Sequence, residues 1–177
     1  HEERPLRPGI LSLDSRALAL PERWRREGIF ERALALTGQT PHVSAPSVLL
    51  AWMRDHEPEN FVRIRHVLGC KDWLRFCLTG TVGTDRTEAS TSFTDVRTQG
   101  YSDAALALFG LGNLQGTLAP IAGSAEIVGE VTPDAARATG LRPGTPVACG
   151  LHDVTASVLG IGAHREGVVG VVAGTYS

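Results

Sequence analysis

The chain has 177 residues, enough for one domain with a real hydrophobic core, and its 42% hydrophobic and 20% charged content excludes a disordered or membrane-embedded chain. Seventeen basic against nineteen acidic side chains, a formal charge of −2, offer no general attraction to nucleic acid or anionic lipid and leave a small ligand as the expected partner. No apolar run approaches the ~20 residues of a membrane span, and the polar start His1-Glu2-Glu3-Arg4 is no signal peptide, so a cytoplasmic location is expected.

In chain order, Pro8 to Leu13 carries Ile10, Leu11 and Leu13 and predicts a buried strand, closed by the polar group Asp14-Ser15-Arg16. Helices are expected over Ala17 to Arg26 and over Ile29 to Leu36, the second stopped by Thr37-Gly38. Gln39 to Pro46, with two prolines and no periodicity, is a loop. Ser47 then opens a helix with Val48, Leu49, Trp52 and Met53 at helical spacing, ending ahead of Pro58. Asn60 to Leu68 reads as a short helix or a helix-to-strand transition. Lys71 to Leu78 reads as a helix with Trp73, Leu74 and Cys77 on its apolar side and Gly80 as its stop.

Thr84 to Ser92 is polar, a loop leading into a helix, and Ser102 caps an amphipathic helix that runs to Phe109. Short strands follow at Leu118 to Ile121 and Glu126 to Val131, then a helix from Thr132-Pro133-Asp134 to Gly140. The last third has the strand-loop-helix rhythm of an α/β domain. Pro146 to Cys149 is expected as a buried strand in a mixed sheet, Gly150 to Asp153 as a turn, Val154 to Leu159 as a helix and Gly167 to Ala173 as a glycine-rich strand. A first residue that is not methionine, and a last strand with nothing following to pair with it, lead us to expect a chain cut at both ends. Cys70, Cys77 and Cys149 follow no disulfide or zinc spacing, so three reduced and mostly buried thiols are expected, with no metal.

Two stretches carry chemistry. In Gly150-Leu151-His152-Asp153-Val154-Thr155-Ala156-Ser157 an apolar strand delivers a carboxylate to a turn just ahead of a small-residue helix. That places Asp153 at the carboxyl end of a strand, where open α/β sheets bind ligands, although a helix N-cap role accounts for the same pattern. In Gly170-Val171-Val172-Ala173-Gly174-Thr175-Tyr176-Ser177 a strand runs into Gly-Thr-x-Ser, whose close backbone approach and hydroxyl donors suit phosphate, or an ordinary turn. The basic run Arg23, Arg25, Arg26 reads as a solvated helix face, not a nucleic-acid site.

Taken together, the landmarks resemble the FGGY family of carbohydrate kinases along nearly the whole chain. Pro8 to Ala17 is similar to the segment that ends in D-x-R-A. Ser44-Ala45-Pro46 through Trp52-Met53-Arg54-Asp55-His56 resembles the first family signature, with Leu49 standing where the signature has lysine. Lys71-Asp72-Trp73-Leu74, Leu78-Thr79-Gly80 and Thr84-Asp85-Arg86-Thr87-Glu88-Ala89-Ser90 resemble the K-D-[YW]-L, L-T-G and T-D-x-[ST]-x-A-S landmarks. Thr139-Gly140-Leu141 with Gly144-Thr145-Pro146-Val147, Gly150-x-x-Asp153 and Gly174-Thr175-x-Ser177 complete the family order. The runs Ile10 to Ala17 and His56-Glu57-Pro58-Glu59 look nearest the L-xylulose kinase and erythritol-kinase-like branch.

The resemblance implies an α/β, actin-like fold built on RNase H-like sheets. Residues 1–164 would be the later part of the first, sugar-binding domain, and 165–177 the first strand of the nucleotide-binding domain. It implies ATP-dependent phosphorylation of a ketopentose or small polyol hydroxyl with Mg²⁺, Asp153 as catalytic base, and Gly174, Thr175 and Ser177 at the phosphates. Ser12, Asp14, Arg16, His42 and His152 are the candidate substrate contacts. For Asp14 and Arg16 a purely structural ion pair fits as well, for His42 a solvated loop position, and for His152 a packing role beside the turn. Ser12 stands where glycerol kinases carry tryptophan, which points away from glycerol. The family's D-x-G-T loop would precede residue 1 and its adenosine site would follow Ser177, so these residues alone are expected to be inactive. Family members are often dimers. Two other readings stay open: a non-catalytic sugar-binding or regulatory module, and an actin- or chaperone-like ATPase of the same architecture.

Overall fold

The computed structural model describes residues 4–171. Its elements in chain order are α1 (Ala19–Arg26), α2 (Ile29–Thr37), α3 (Pro46–His56), α4 (Pro58–Phe61), α5 (Cys70–Thr79), β1 (Thr84–Asp85), α6 (Arg86–Ala89) and α7 (Asp103–Leu108). After a 3-10 turn at Gly112–Leu114 come β2 (Ile121–Ala122), β3 (Ile127–Glu130), α8 (Pro133–Thr139), β4 (Pro146–Ala148) and α9 (Asp153–Gly160). They form two compact units, one from residues up to 68 together with 89–120, the other from 69–88 together with residues from 121 onward.

The first unit is helical, and its core follows from the apolar spacing of α1, α2, α3 and α7. Leu20, Trp24, Phe30, Ala33, Val48 and Leu106 are buried in one cluster, and Trp24 stacks on Phe109 at 5.2 Å between ring centres. The leucines, Phe30 and Val48 each contribute roughly 1.5–3 kcal/mol by leaving water. Pro46 at the first position of α3 and Ser102, whose Oγ accepts the Ala105 N–H at 3.2 Å, start two of the helices as their sequence requires. Pro8 to Leu13 is not a strand: Leu11 and Leu13 are 73% and 60% exposed in a turn closed by the Asp14 N–H on Leu11 O. Apolar content alone suggested the strand, and among the described residues none pairs with it.

The second unit is the α/β part. β1 and β2 pair in parallel, Thr84 opposite Ile121 and Asp85 opposite Ala122, while β3 and β4 pair antiparallel with an irregularity between Ile127 and Gly129. Thr132 caps α8 through its Oγ1 and Gly140 ends it. Val131, Ala135 and Ala136 pack with Leu78 and Val147 as a small core. α5 ends at Gly80, whose φ of 70° is open to glycine at little cost.

Four expectations are corrected here. β4 is a rim strand, with Pro146 and Ala148 exposed, in a two-stranded antiparallel pair instead of a buried strand of a mixed sheet. The buried side of α5 is polar, Asp72 and Arg75, whereas Leu74 and Cys77 are exposed. Only Cys149 of the three thiols is buried. Of the strand expected over Gly167 to Ala173, residues 167–171 are turn and unpaired chain among the described residues, and 172–173 lie outside them. No described helix is long and apolar enough to cross a membrane.

Candidate functional site

Asp153 is reached through a turn fixed at each step. Cys149 N–H bonds Glu126 O at 2.8 Å, Gly150 N–H bonds Ser124 O at 2.9 Å, and His152 N–H bonds Thr87 Oγ1 at 2.8 Å. Gly150 takes φ of 88°, the left-handed conformation that lets the chain leave β4 and enter α9 across the four residues 149–152. His152 occupies the N-cap position and Asp153 is the first helical residue, so the N-cap alternative for Asp153 is set aside. The carboxylate itself stays open: it is 90% exposed, with Oδ1 accepting from the Val154 N–H at 2.7 Å and standing 3.2 Å from His152 Nδ1.

Beneath the turn lies a charged network that joins three of the sequence landmarks. Lys71 Nζ stands 2.6 Å from Asp72 Oδ1 and 2.8 Å from Asp85 Oδ1, and both carboxylates are buried. Thr84 Oγ1 donates to Asp72 Oδ2 at 2.6 Å, while Thr87 N–H, Thr87 Oγ1 and Ser124 Oγ donate to Asp85 Oδ2. Burial pushes Asp85 up, but the bonds from Lys71 and Thr87 outweigh it and bring its pKa down to about 2. Burial likewise works against the charge on Lys71, and its two aspartates more than compensate, raising its pKa.

Arg75, also buried, donates from one terminal nitrogen to Cys149 O at 3.0 Å and lies 3.4 Å from Asp72 Oδ1; its Nε and second terminal nitrogen have no hydrogen-bond partner among the described residues. Burial raises the Cys149 thiol, which keeps it protonated. Glu88 is raised by burial too, with His152 and Lys71 opposing.

The substrate candidates Ser12, Asp14, Arg16 and His42 belong to the first unit. Arg16 grips Asp14 with two parallel bonds, Nε to Oδ1 at 2.8 Å and a terminal nitrogen to Oδ2 at 2.7 Å, and lies 4.9 Å over the Trp52 ring. This grip lowers Asp14 to a pKa of about 2. Glu57, held by Arg7 at 2.9 Å, stands 3.9 Å from the same guanidinium. Arg16, Leu20, Arg23, Trp52, Asp55 and His56 border a cavity of about 370 Å³. Ser12 sits in the exposed turn before Asp14. His42 Nδ1 is 3.1 Å from Ser44 Oγ, and partial burial lowers its pKa. Gly174, Thr175 and Ser177 lie outside the described residues.

Sequence reasoning used Lys71, Asp72, Asp85 and Thr87 only as landmarks and gave them no role. The available signal was chemical: Lys71, Asp72 and Asp85 lie in two short landmark segments dense in charged and hydroxyl side chains, where any that are buried must be paired.

An N-terminal unit of this construction matches the model of the "FGGY family of carbohydrate kinases, N-terminal domain" over residues 1–160. The chain belongs to that family, and its fold is the family's α/β, actin-like class, represented by the N-terminal part. It is 39% identical over 176 residues to the L-xylulose/3-keto-L-gulonate kinase of Escherichia coli (strain K12), covering 99% of this chain and 35% of that protein. It is 40% identical over 177 residues to a probable L-xylulose kinase of Pasteurella multocida (strain Pm70), covering 99% and 37%. Among solved structures, the xylulose kinase from Rhodospirillum rubrum superposes with a TM-score of 0.81 at 32% identity, over 91% of this chain and 33% of that one. The chain thus spans about a third of the length of these relatives.

Proposed function

We propose that the protein to which these residues belong transfers the γ-phosphoryl group of ATP to a hydroxyl of a ketopentose or small polyol, an L-xylulose-like or erythritol-like substrate, with Asp153 as the base. The supporting observation is the combination at Asp153: a carboxylate open to an incoming hydroxyl on a turn whose backbone is tied down at Cys149, Gly150 and His152. A fixed carboxylate orients the hydroxyl without paying for reorganisation at the moment of reaction.

In the reaction, the substrate O–H gives its proton to Asp153 as its oxygen bonds to phosphorus, and the bond from phosphorus to the bridging oxygen of ATP breaks, releasing ADP. His152, 3.2 Å from the same carboxylate oxygen, orients it on one side and leaves the other oxygen for the substrate. Mg²⁺ enters this reading as the companion of ATP, and no metal ligand is assigned among these residues. Gly174, Thr175 and Ser177 are assigned to the phosphates, and residues 165–177 to the start of the nucleotide-binding domain.

On the substrate side, the reading takes Ser12, Asp14, Arg16 and His42 as contacts for sugar hydroxyls. A serine in place of a bulky indole leaves room for a longer, more hydroxylated chain than glycerol. A site built to bond several hydroxyls rejects a shorter analogue at about 1–3 kcal/mol for each polar group left unpaired. The test is a panel of glycerol, erythritol, D-xylulose, L-xylulose and L-ribulose with the full-length protein at saturating MgATP, comparing kcat/KM. A four- or five-carbon substrate is expected to lead. Glycerol as the best substrate would refute the role of Ser12, and no turnover at all would favour the non-catalytic sugar-binding reading.

A further inference from the structure

Thr87 makes a connection that the proposed chemistry has not used. Its Oγ1 donates to the buried Asp85 Oδ2 at 2.6 Å and accepts the His152 backbone N–H at 2.8 Å. Asp85 is itself held by Lys71 at 2.8 Å and by Ser124 Oγ at 3.1 Å, and Lys71 is anchored by Asp72 at 2.6 Å. The hydroxyl therefore has a defined polarity. Its proton is committed to a carboxylate that cannot turn away, so its lone pair faces the N–H of the residue that opens α9. His152 has no side-chain cap bond of its own. Thr87 and His152 are 65 residues apart in the chain, so the bond ties the turn to α6 instead of stiffening it locally.

We infer that Thr87, locked by Asp85 and Lys71, is the positioning residue of the base turn, setting where the Asp153 carboxylate stands through the backbone of His152. This rests on the reading of Asp153 as base. Thr87 does not touch the reacting atoms. A loosened turn would misplace the carboxylate by a fraction of an ångström to an ångström, a displacement that costs up to about a hundredfold in rate. Substrate affinity, which depends on other residues, would be largely kept.

The experiment compares Thr87→Val, Thr87→Ser and Asp153→Asn in the full-length protein, reading kcat and KM for the best substrate of the panel. It also follows amide hydrogen exchange at His152 in the unsubstituted protein and in the Thr87 variants. Thr87→Val, of the same shape without the hydroxyl, is expected to lower kcat about 10- to 100-fold with KM changed less than about threefold. It should also speed exchange at His152, and Thr87→Ser should restore both. A Thr87→Val protein with unchanged kcat beside an inactive Asp153→Asn would overturn the positioning role and leave the base reading intact. An active Asp153→Asn would remove the base reading itself. Should Thr87→Val fail to fold, exchange in the unsubstituted protein still decides: an unprotected His152 amide contradicts the proposal, and a protected one that Thr87→Ser preserves supports it.

Discussion

The ammonium of Lys71 lies 2.8 Å from Oδ1 of Asp85, a carboxylate with no solvent exposure, and so ties the helix α5 to the strand β1 by charge where apolar packing would be usual. The same ammonium serves Asp72, also buried. Removing the shared cation leaves Asp85 buried without that partner and Asp72 with Arg75, 3.4 Å away. Lys71→Met is therefore expected to destabilise the fold by about 3–5 kcal/mol, the range for breaking a buried pair from one side. Urea unfolding of the full-length protein measures it, and a loss below 1 kcal/mol would mean that the network is solvated.

The pH dependence has a definite sign. Asp85 falls from an ordinary 3.8 to about 2 in the fold, so its stabilisation is complete above pH 3.8 and is lost as pH drops toward 2. Asp14, also brought to about 2, adds a share in the same window. Its pair with Arg16 is closer to solvent, whereas the Lys71–Asp85 pair is shielded from it. Added salt should weaken the first and spare the second. Chemical denaturation between pH 6 and pH 2 should thus show an acid limb that persists at 0.5 M salt, within about a third of its low-salt size. An acid limb abolished by salt would assign it to the surface pair alone.

Glu88 behaves oppositely. Burial raises its pKa above the usual 4.5 against the pull of His152 and Lys71, so its ionisation costs stability progressively as pH rises above 4.5. Glu88→Gln should match the unsubstituted protein near pH 4 and gain on it toward pH 7. Thermal unfolding of both proteins at the two pH values checks this, and a difference that does not change with pH would contradict it.

How much of this was legible depended on whether the signal was local. Ser102, Thr132, Gly80 and Gly140 bounded their helices as read, because capping is decided within a few residues. The Asp153 turn was also visible, as a carboxylate between a short apolar run and a small-residue helix. The buried face of α5 was misread, since Asp72 and Arg75 are buried for partners found at Thr84 and Cys149, and periodicity sees only apolar side chains. Pro8 to Leu13 failed in the reverse way, apolar in sequence yet without a paired strand among the described residues. The role of Thr87 was hidden because its bond to His152 spans 65 residues, a distance that no local pattern encodes.

Asp153→Asn tests the role of Asp153 as base most directly. Asparagine keeps the shape and the bond to the Val154 N–H but cannot accept the hydroxyl proton. In the full-length protein, with MgATP and the best sugar or polyol of the panel, kcat should fall by roughly 10² to 10⁴-fold while KM for the sugar stays within a few-fold. A kcat equal to that of the unsubstituted enzyme would show that Asp153 is not the base.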